Sequence, residues 1–74
     1  MKVFICVVND RHADPEATAW TTADAAIEHA RTEARACARH PEDYEERTVE
    51  GWLFYVRYSC EGDSAWVVER EVRG

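Results

Sequence analysis

The hydrophobic positions of this chain predict β-strands towards both of its ends. Every residue from 3 to 8 is apolar, which is typical of a strand covered on both faces. Residues 17–21 form a second short run, which predicts the return arm of a hairpin. Residues 51–73 contain two arms rich in β-branched and aromatic residues around a turn at 61–64, and they predict another β-hairpin.

Between these strands the apolar spacing becomes helical. Thr21 and Asp24 have the spacing of a capping box, with Thr22 as an alternative N-cap, and Pro41 stops the helix near His40. The apolar residues of this segment form one stripe, which is almost entirely alanine. The stripe consists of Ala23, Ala26, Ile27, Ala30, Ala34, Cys37 and Ala38.

The pattern predicts a single domain over residues 1–74 of the α+β class. Its order is β-β-α-β-β, a small four-stranded, mostly antiparallel sheet with one helix packed on one face. The alternative is β-α-β-β, with residues 16–20 as a loop, and residues 41–50 are a loop or a short helical turn in either case. One alanine-striped helix covers only one face, so we expect the other face to be an interface. The simplest case is a homodimer packed through this sheet face or through the hairpin edge.

The second hairpin also carries the candidate recognition residues Trp52, Tyr55, Arg57 and Trp66, because Trp, Tyr and Arg are the usual anchors of protein interfaces. Strand alternation groups Trp52 with Phe54, and it places Tyr55 and Arg57 on the opposite face. The same residues are equally typical of a core with ordinary cross-strand pairs. They also suit stacking on a nucleotide base, with arginine as the anion contact.

Charge narrows the choice of partner. Fifteen acidic residues against nine basic ones give a net charge of −6, which disfavours direct binding to nucleic acid. Much of this excess lies between residues 42 and 50, in a run that is typical of a solvated loop and also suits docking on a basic protein. Its acidic residues are Glu42, Asp43, Glu45, Glu46 and Glu50.

Residues with catalytic or metal-binding chemistry are few. Asp10, His12 and Asp14 alternate as metal ligands do, although the same residues are typical of a solvated turn. Cys37 and His40, with Glu33 nearby, lack the second pair of ligands that a zinc site needs. Nothing in the sequence pairs a nucleophile with a base, so we expect neither an enzyme nor a cofactor.

The cysteines and the N-terminal segment indicate the cellular compartment of the protein. Three cysteines at 6, 37 and 60 form no disulfide framework, and we expect Cys6 and Cys37 to be buried as small apolar residues. The apolar run at 3–8 is too short for a signal sequence or a membrane span. These features predict a cytoplasmic protein that does not bind membranes.

Three segments carry a resemblance to a known group. The loop at 9–14, the helix start at 23–31 and the turn at 58–64 resemble those of small uncharacterised proteins of actinobacteria and their phages. These motifs are structural, so the resemblance implies no activity. In size and acidity the chain is also similar to phage-encoded inhibitors of host defence, such as anti-CRISPR proteins.

Two functions follow as hypotheses. The first is a non-enzymatic interaction module, such as a phage-type inhibitor, that docks on a basic nucleic-acid-handling host protein and blocks its site. The second is an oligomer that binds or sequesters a nucleotide through the aromatic and arginine residues of the hairpin. We expect Arg57 to be essential for the second function but not for the first.

Overall fold

Residues 1–73 are described by a computed structural model, and they form one α-helix and five strands. The strands are β1 (Lys2–Asn9), β2 (Glu16–Trp20), β3 (Glu45–Arg47), β4 (Phe54–Arg57) and β5 (Ser64–Glu71), and the helix is α1 (Ala23–Cys37). Neighbouring strands are antiparallel, and the order across the sheet is β2-β1-β5-β4-β3. The α+β class is confirmed, whereas the predicted number of four strands is wrong.

The additional strand lies in segment 41–50, where the sequence predicts a loop or a helical turn. Pro41–Asp43 forms one turn of 3₁₀ helix, and β3 follows it at the edge of the sheet, paired with β4. Glu is depleted in strands and none of the three residues is β-branched or aromatic, so the sequence of β3 carries no strand signal. Its three residues are extended because β4 offers a pairing partner.

β1 and β5 bring the two ends of the chain together at the centre of the sheet. Their register runs from Lys2 opposite Glu71 to Asn9 opposite Ser64, and β2 lies on the other side of β1. β1 is therefore an internal strand, as its apolar residues predict. Because side chains alternate along each strand, this register assigns every strand residue to one of two faces.

The helix starts at its alternative cap. The hydroxyl oxygen of Thr22 accepts a hydrogen bond of 3.2 Å from the backbone N–H of Ala25, so Thr22 rather than Thr21 is the N-cap. The helix ends at Cys37, slightly before the predicted end, because Ala38 adopts an extended conformation.

The alanine stripe faces the sheet. Ala26, Ala30 and Ala34 are completely buried, so the helix packs closely against the strands. The prediction that Cys6 is buried is confirmed, and burial raises the pKa of its thiol to about 11. The same prediction for Cys37 is wrong, because this last residue of the helix is exposed at a polar cleft.

The core lies between α1 and the sheet face that α1 covers. Tyr58, Val56 and Val67 are the largest of the side chains that are almost completely buried there. The prediction that Phe54, Val56 and Tyr58 share a face is confirmed, since all three belong to this core. The sheet side of the core consists of Cys6, Phe54, Val56, Tyr58, Ala65 and Val67.

Trp52 does not follow this alternation. It was predicted to lie with Phe54, but its ring stacks on Trp66, which points to the opposite face. The reason is a turn before β4, in which the N–H of Trp52 bonds the carbonyl oxygen of Val49 at 3.1 Å and Gly51 has a φ of +86°. The strand begins only at Phe54, so its alternation does not extend back to Trp52.

Candidate interaction surface

One face of the sheet carries no helix within residues 1–73, and we call it the helix-free face. The cross-strand pairs Val7 with Trp66 and Ile5 with Val68 both lie on it. Most of its apolar side chains are only half-buried, which leaves a continuous apolar surface across the centre of the sheet. The apolar and charged residues of this face are Val3, Ile5, Val7, Ala17, Ala19, Glu45, Arg47, Tyr55, Arg57, Trp66, Val68 and Arg70, with Trp52 stacked on it.

Three aromatic rings form the densest part of this face. Tyr55 and Trp66 lie directly opposite each other on β4 and β5. The ring of Trp52 lies over that of Trp66 at 5.1 Å between centroids and 13° between planes, and it is 5.6 Å from Tyr55. Trp52 remains 36% exposed. This aromatic trio therefore offers a preformed apolar surface whose geometry is fixed by ring stacking.

Two arginines, Arg47 and Arg57, lie beside Tyr55 of this trio. Arg47 donates two hydrogen bonds of 3.0 Å to Glu45, and Arg57 lies opposite the same glutamate on β4. These bonds lower the pKa of Glu45 below its usual range. The Nε atom of Arg57 is buried and has no hydrogen-bond partner among residues 1–73. Glu45 is thus bonded to Arg47, and Arg57, although its charge also favours the ionised form of Glu45, forms no ion pair with any residue in 1–73.

The acidic residues predicted as a recognition surface do not gather on this face. Glu46 points to the helix side, where Arg31 donates bonds of 3.0 and 3.1 Å and the Tyr44 hydroxyl donates one of 2.7 Å. These bonds lower the pKa of Glu46. Asp43 lines a cleft elsewhere.

The remaining two acidic residues lie outside the strands. Glu42 is in the 3₁₀ turn, with Oε1 3.9 Å from Nδ1 of His40, and Glu50 is in the turn before β4. Of the predicted site residues, the structure therefore brings together Glu45, Trp52, Tyr55, Arg57 and Trp66.

A second feature is a polar cleft of about 270 Å³ between the β1–β2 loop, the end of α1 and the β4–β5 turn. Ligand atoms of Asp10, His12 and Asp63 lie within 4.8 Å of one another there. The predicted third member, Asp14, is not part of this group. Asp63 was missed because it is distant in sequence and reaches the cleft only through the pairing of β1 with β5. The cleft is lined by Asp10, His12, Cys37, Arg39, His40, Asp43, Ser59, Cys60, Glu61 and Asp63.

Both carboxylates of the group formed by Asp10, His12 and Asp63 already accept hydrogen bonds. Asp10 accepts bonds of 2.8 Å from the backbone N–H of His12 and from the Tyr58 hydroxyl, and these bonds lower its pKa. Asp63, only 6% exposed, accepts bonds from the backbone N–H of Arg11 at 2.9 Å and from the Ser59 hydroxyl at 3.0 Å. The two aspartates thereby fasten the β1–β2 loop to the β4–β5 turn.

The predicted pair Cys37 and His40 also lines the cleft, but no group of three possible ligands forms around it within residues 1–73. Burial, followed by the charge of Asp10, raises the pKa of the Cys37 thiol. The cysteine is therefore protonated at neutral pH, which makes it a weak nucleophile.

Comparison with known proteins adds no relative: no family model, no curated protein and no solved structure matches this chain. The resemblance to actinobacterial and phage proteins stays a prediction. Among residues 1–73, no helix has the length and apolar character that crossing a bilayer requires.

Proposed function

We propose that this protein is a non-enzymatic interaction module that binds another protein through its helix-free face. One observation carries the proposal: the stacked trio of Trp52, Tyr55 and Trp66, in which Trp52 is exposed and the other two rings are half-buried, lies beside the aliphatic residues of β1. Trp, Tyr and Arg at the centre of an apolar patch are the residues that contribute most to protein binding.

The aliphatic part of the face favours a protein over a small molecule. Val3, Ile5 and Val7 extend the apolar surface from the trio across β1, and the small residues Ala17 and Ala19 continue it to the edge strand β2. A nucleotide would leave most of this surface in water, whereas a protein partner would cover it. Of the five acidic residues suggested for a basic partner, four lie apart from this surface, and Glu45 on it is bonded to Arg47, so the proposal rests on the face itself.

The experiment is site-specific photo-crosslinking in the organism that carries the gene. A benzophenone amino acid placed at Ala19 reports on the helix-free face, and one placed at Ala36 is the matched control on the exposed side of α1. We expect a protein adduct from position 19 that unlabelled protein competes away. The Trp52→Ala variant should compete poorly, provided that its circular dichroism is unchanged.

Three results would contradict the proposal. Adducts formed only from position 36 would place the interface on the helix. No adduct from position 19 would leave the face without a partner. An adduct with twice the mass of the chain would assign the face to self-association, as in a predicted homodimer that packs through the sheet face rather than through the hairpin edge.

A second candidate function is nucleotide binding, and the unpartnered Nε of Arg57 favours it. Arg57 lies two positions from Tyr55 on the same face, an arrangement that suits a stacked base and an anionic phosphate. Thermal denaturation with ATP, GTP and cyclic dinucleotides tests this function, because a ligand of the folded state raises the Tm. An unchanged Tm at saturating nucleotide would eliminate it, and a shift that Arg57→Ala abolishes would support it.

A further inference from the structure

The helix-free face has the opposite charge to the chain as a whole. Its strand residues include Arg47, Arg57 and Arg70 but only one acid, Glu45, a formal charge of +2. The whole chain has a net charge of −6. Other charged strand residues, such as Lys2 and Glu69, pair with each other on the helix side. The register of the sheet therefore separates a basic, aromatic face from an acidic remainder.

Within residues 1–73, two of the three arginines form no ion pair with an acidic residue. Arg47 is neutralised by its two bonds to Glu45. Arg70 donates to the backbone oxygen of Glu69 at 2.8 Å, and neither Arg57 nor Arg70 forms an ion pair with a residue in 1–73. A buried guanidinium N–H without an acceptor is unfavourable, and an apolar partner placed over Arg57 would leave it so.

We propose, on the basis of the protein-binding function above, that the partner presents a segment with both apolar and acidic side chains. The apolar side chains cover the aromatic trio, and carboxylates bind Arg57 and Arg70. The planar fork of each guanidinium is suited to a bidentate bond with a carboxylate. Charge complementarity thus selects an acidic partner, whereas the net charge of the chain alone suggests a basic one.

The same charges oppose a second copy of this chain on the same face. A two-fold dimer through the helix-free faces would join two surfaces of charge +2. The one carboxylate on each of them, that of Glu45, already binds Arg47. Arg57 would be covered without gaining an acceptor.

The test is selection of linear peptides from a random 16-residue display library on the immobilised protein. The Trp52→Ala variant serves for counter-selection. We expect the selected peptides to combine aromatic or aliphatic residues with Asp and Glu, and to bind more weakly as salt rises. A synthetic peptide from the selection should bind Arg57→Gln about ten-fold more weakly, and Arg70→Gln roughly two- to five-fold more weakly. Arg39→Gln, an exposed arginine of the polar cleft, is the matched control and should bind like the wild type.

The outcomes distinguish a failure of the acidic partner from a failure of the protein-binding function on which it rests. Peptides that require Trp52 but carry no acidic residues, or that bind Arg57→Gln as tightly as the wild type, would overturn the acidic partner and retain the protein-binding face. No enrichment over the Trp52→Ala variant would contradict the protein-binding face itself. Binding of oligo(dT) that Arg57→Gln abolishes, with no peptide selected, would assign the face to nucleic acid and overturn both.

Discussion

The substitution Tyr58→Phe removes a single oxygen atom from the contact that fastens the β1–β2 loop to the body of the protein. The Tyr58 side chain is only 1% exposed, and its hydroxyl donates a 2.8 Å hydrogen bond to the carboxylate of Asp10. A hydrogen bond to a charged acceptor contributes about 1.5–3 kcal/mol to stability. Asp10 is only half-buried, so water replaces part of the lost bond and we expect a loss of about 1–2 kcal/mol. For a domain of this size the Tm then falls by roughly 5–15 °C.

Urea unfolding monitored by far-UV circular dichroism measures this loss. The matched control is Tyr55→Phe, which removes the same atom from a half-buried tyrosine whose hydroxyl has no hydrogen-bond partner within residues 1–73. We expect its unfolding free energy to change by less than about 0.5 kcal/mol. Equal losses for the two variants would refute the assignment of Tyr58 to this contact.

The pH dependence gives an independent check on the same contact. The backbone N–H of His12 and then the Tyr58 hydroxyl lower the pKa of Asp10 in the folded protein, so this carboxylate stabilises the fold above its unfolded pKa of about 4. That contribution is lost as the pH falls through the lower folded pKa. The difference between wild type and Tyr58→Phe should therefore be largest near neutral pH and should narrow below about pH 4. A difference that is the same at low and neutral pH would contradict this coupling.

Three further predictions concern the rest of the fold. Glu46→Gln should lower the free energy of unfolding by about 0.5–1 kcal/mol at neutral pH, because the ion pair of Glu46 with Arg31 is about one-third exposed. Urea unfolding should show that this loss disappears in acid, as the pH falls through the lowered pKa of Glu46 in the folded protein. Ala30→Leu should lower the free energy of unfolding by about 1–3 kcal/mol, because the completely buried alanine stripe has no room for a larger side chain. Ala36 is exposed, so the control Ala36→Leu should unfold at nearly the same urea concentration as the wild type. When the native protein is titrated with a disulfide reagent, the two exposed cysteines should react and the buried Cys6 should react only after urea is added. Labelling of all three cysteines without urea would contradict the burial of Cys6.

The parts of the fold that are visible in the sequence are those set by local patterns. The apolar run of β1, the alanine stripe of α1 and the turn of the second hairpin are each contained in a short segment, and each predicted its element correctly. β3 was missed because its residues EER favour no strand by themselves and depend on pairing with β4. Asp63 was missed at the cleft for a related reason: it lies 53 positions after Asp10, and only the tertiary fold brings them together.

Local sequence patterns also predict only part of the candidate surface. Strand alternation correctly placed Tyr55 and Arg57 on one face, but it misplaced Trp52 because the turn at Gly51 interrupts the strand. Charge counted along the chain groups five acidic residues between 42 and 50. The structure instead places Glu45 on the helix-free face and Glu46 on the helix side, because adjacent residues of β3 point in opposite directions.

The net charge of a chain and the charge of its binding face act over different distances. At physiological salt the field of an exposed charge falls off over about 8 Å, so acidic residues on the helix side have little effect on a partner docked across the sheet. The arginines beside the aromatic trio would be in direct contact with that partner and would lose water when it binds. In the proposed complex their charge would therefore favour an acidic partner, while the acidic remainder of the chain would repel polyanions at longer range. A chain with a net charge of −6 can in this way bind an acidic partner, because the face that becomes desolvated contributes more to the free energy of contact than the screened charges behind it.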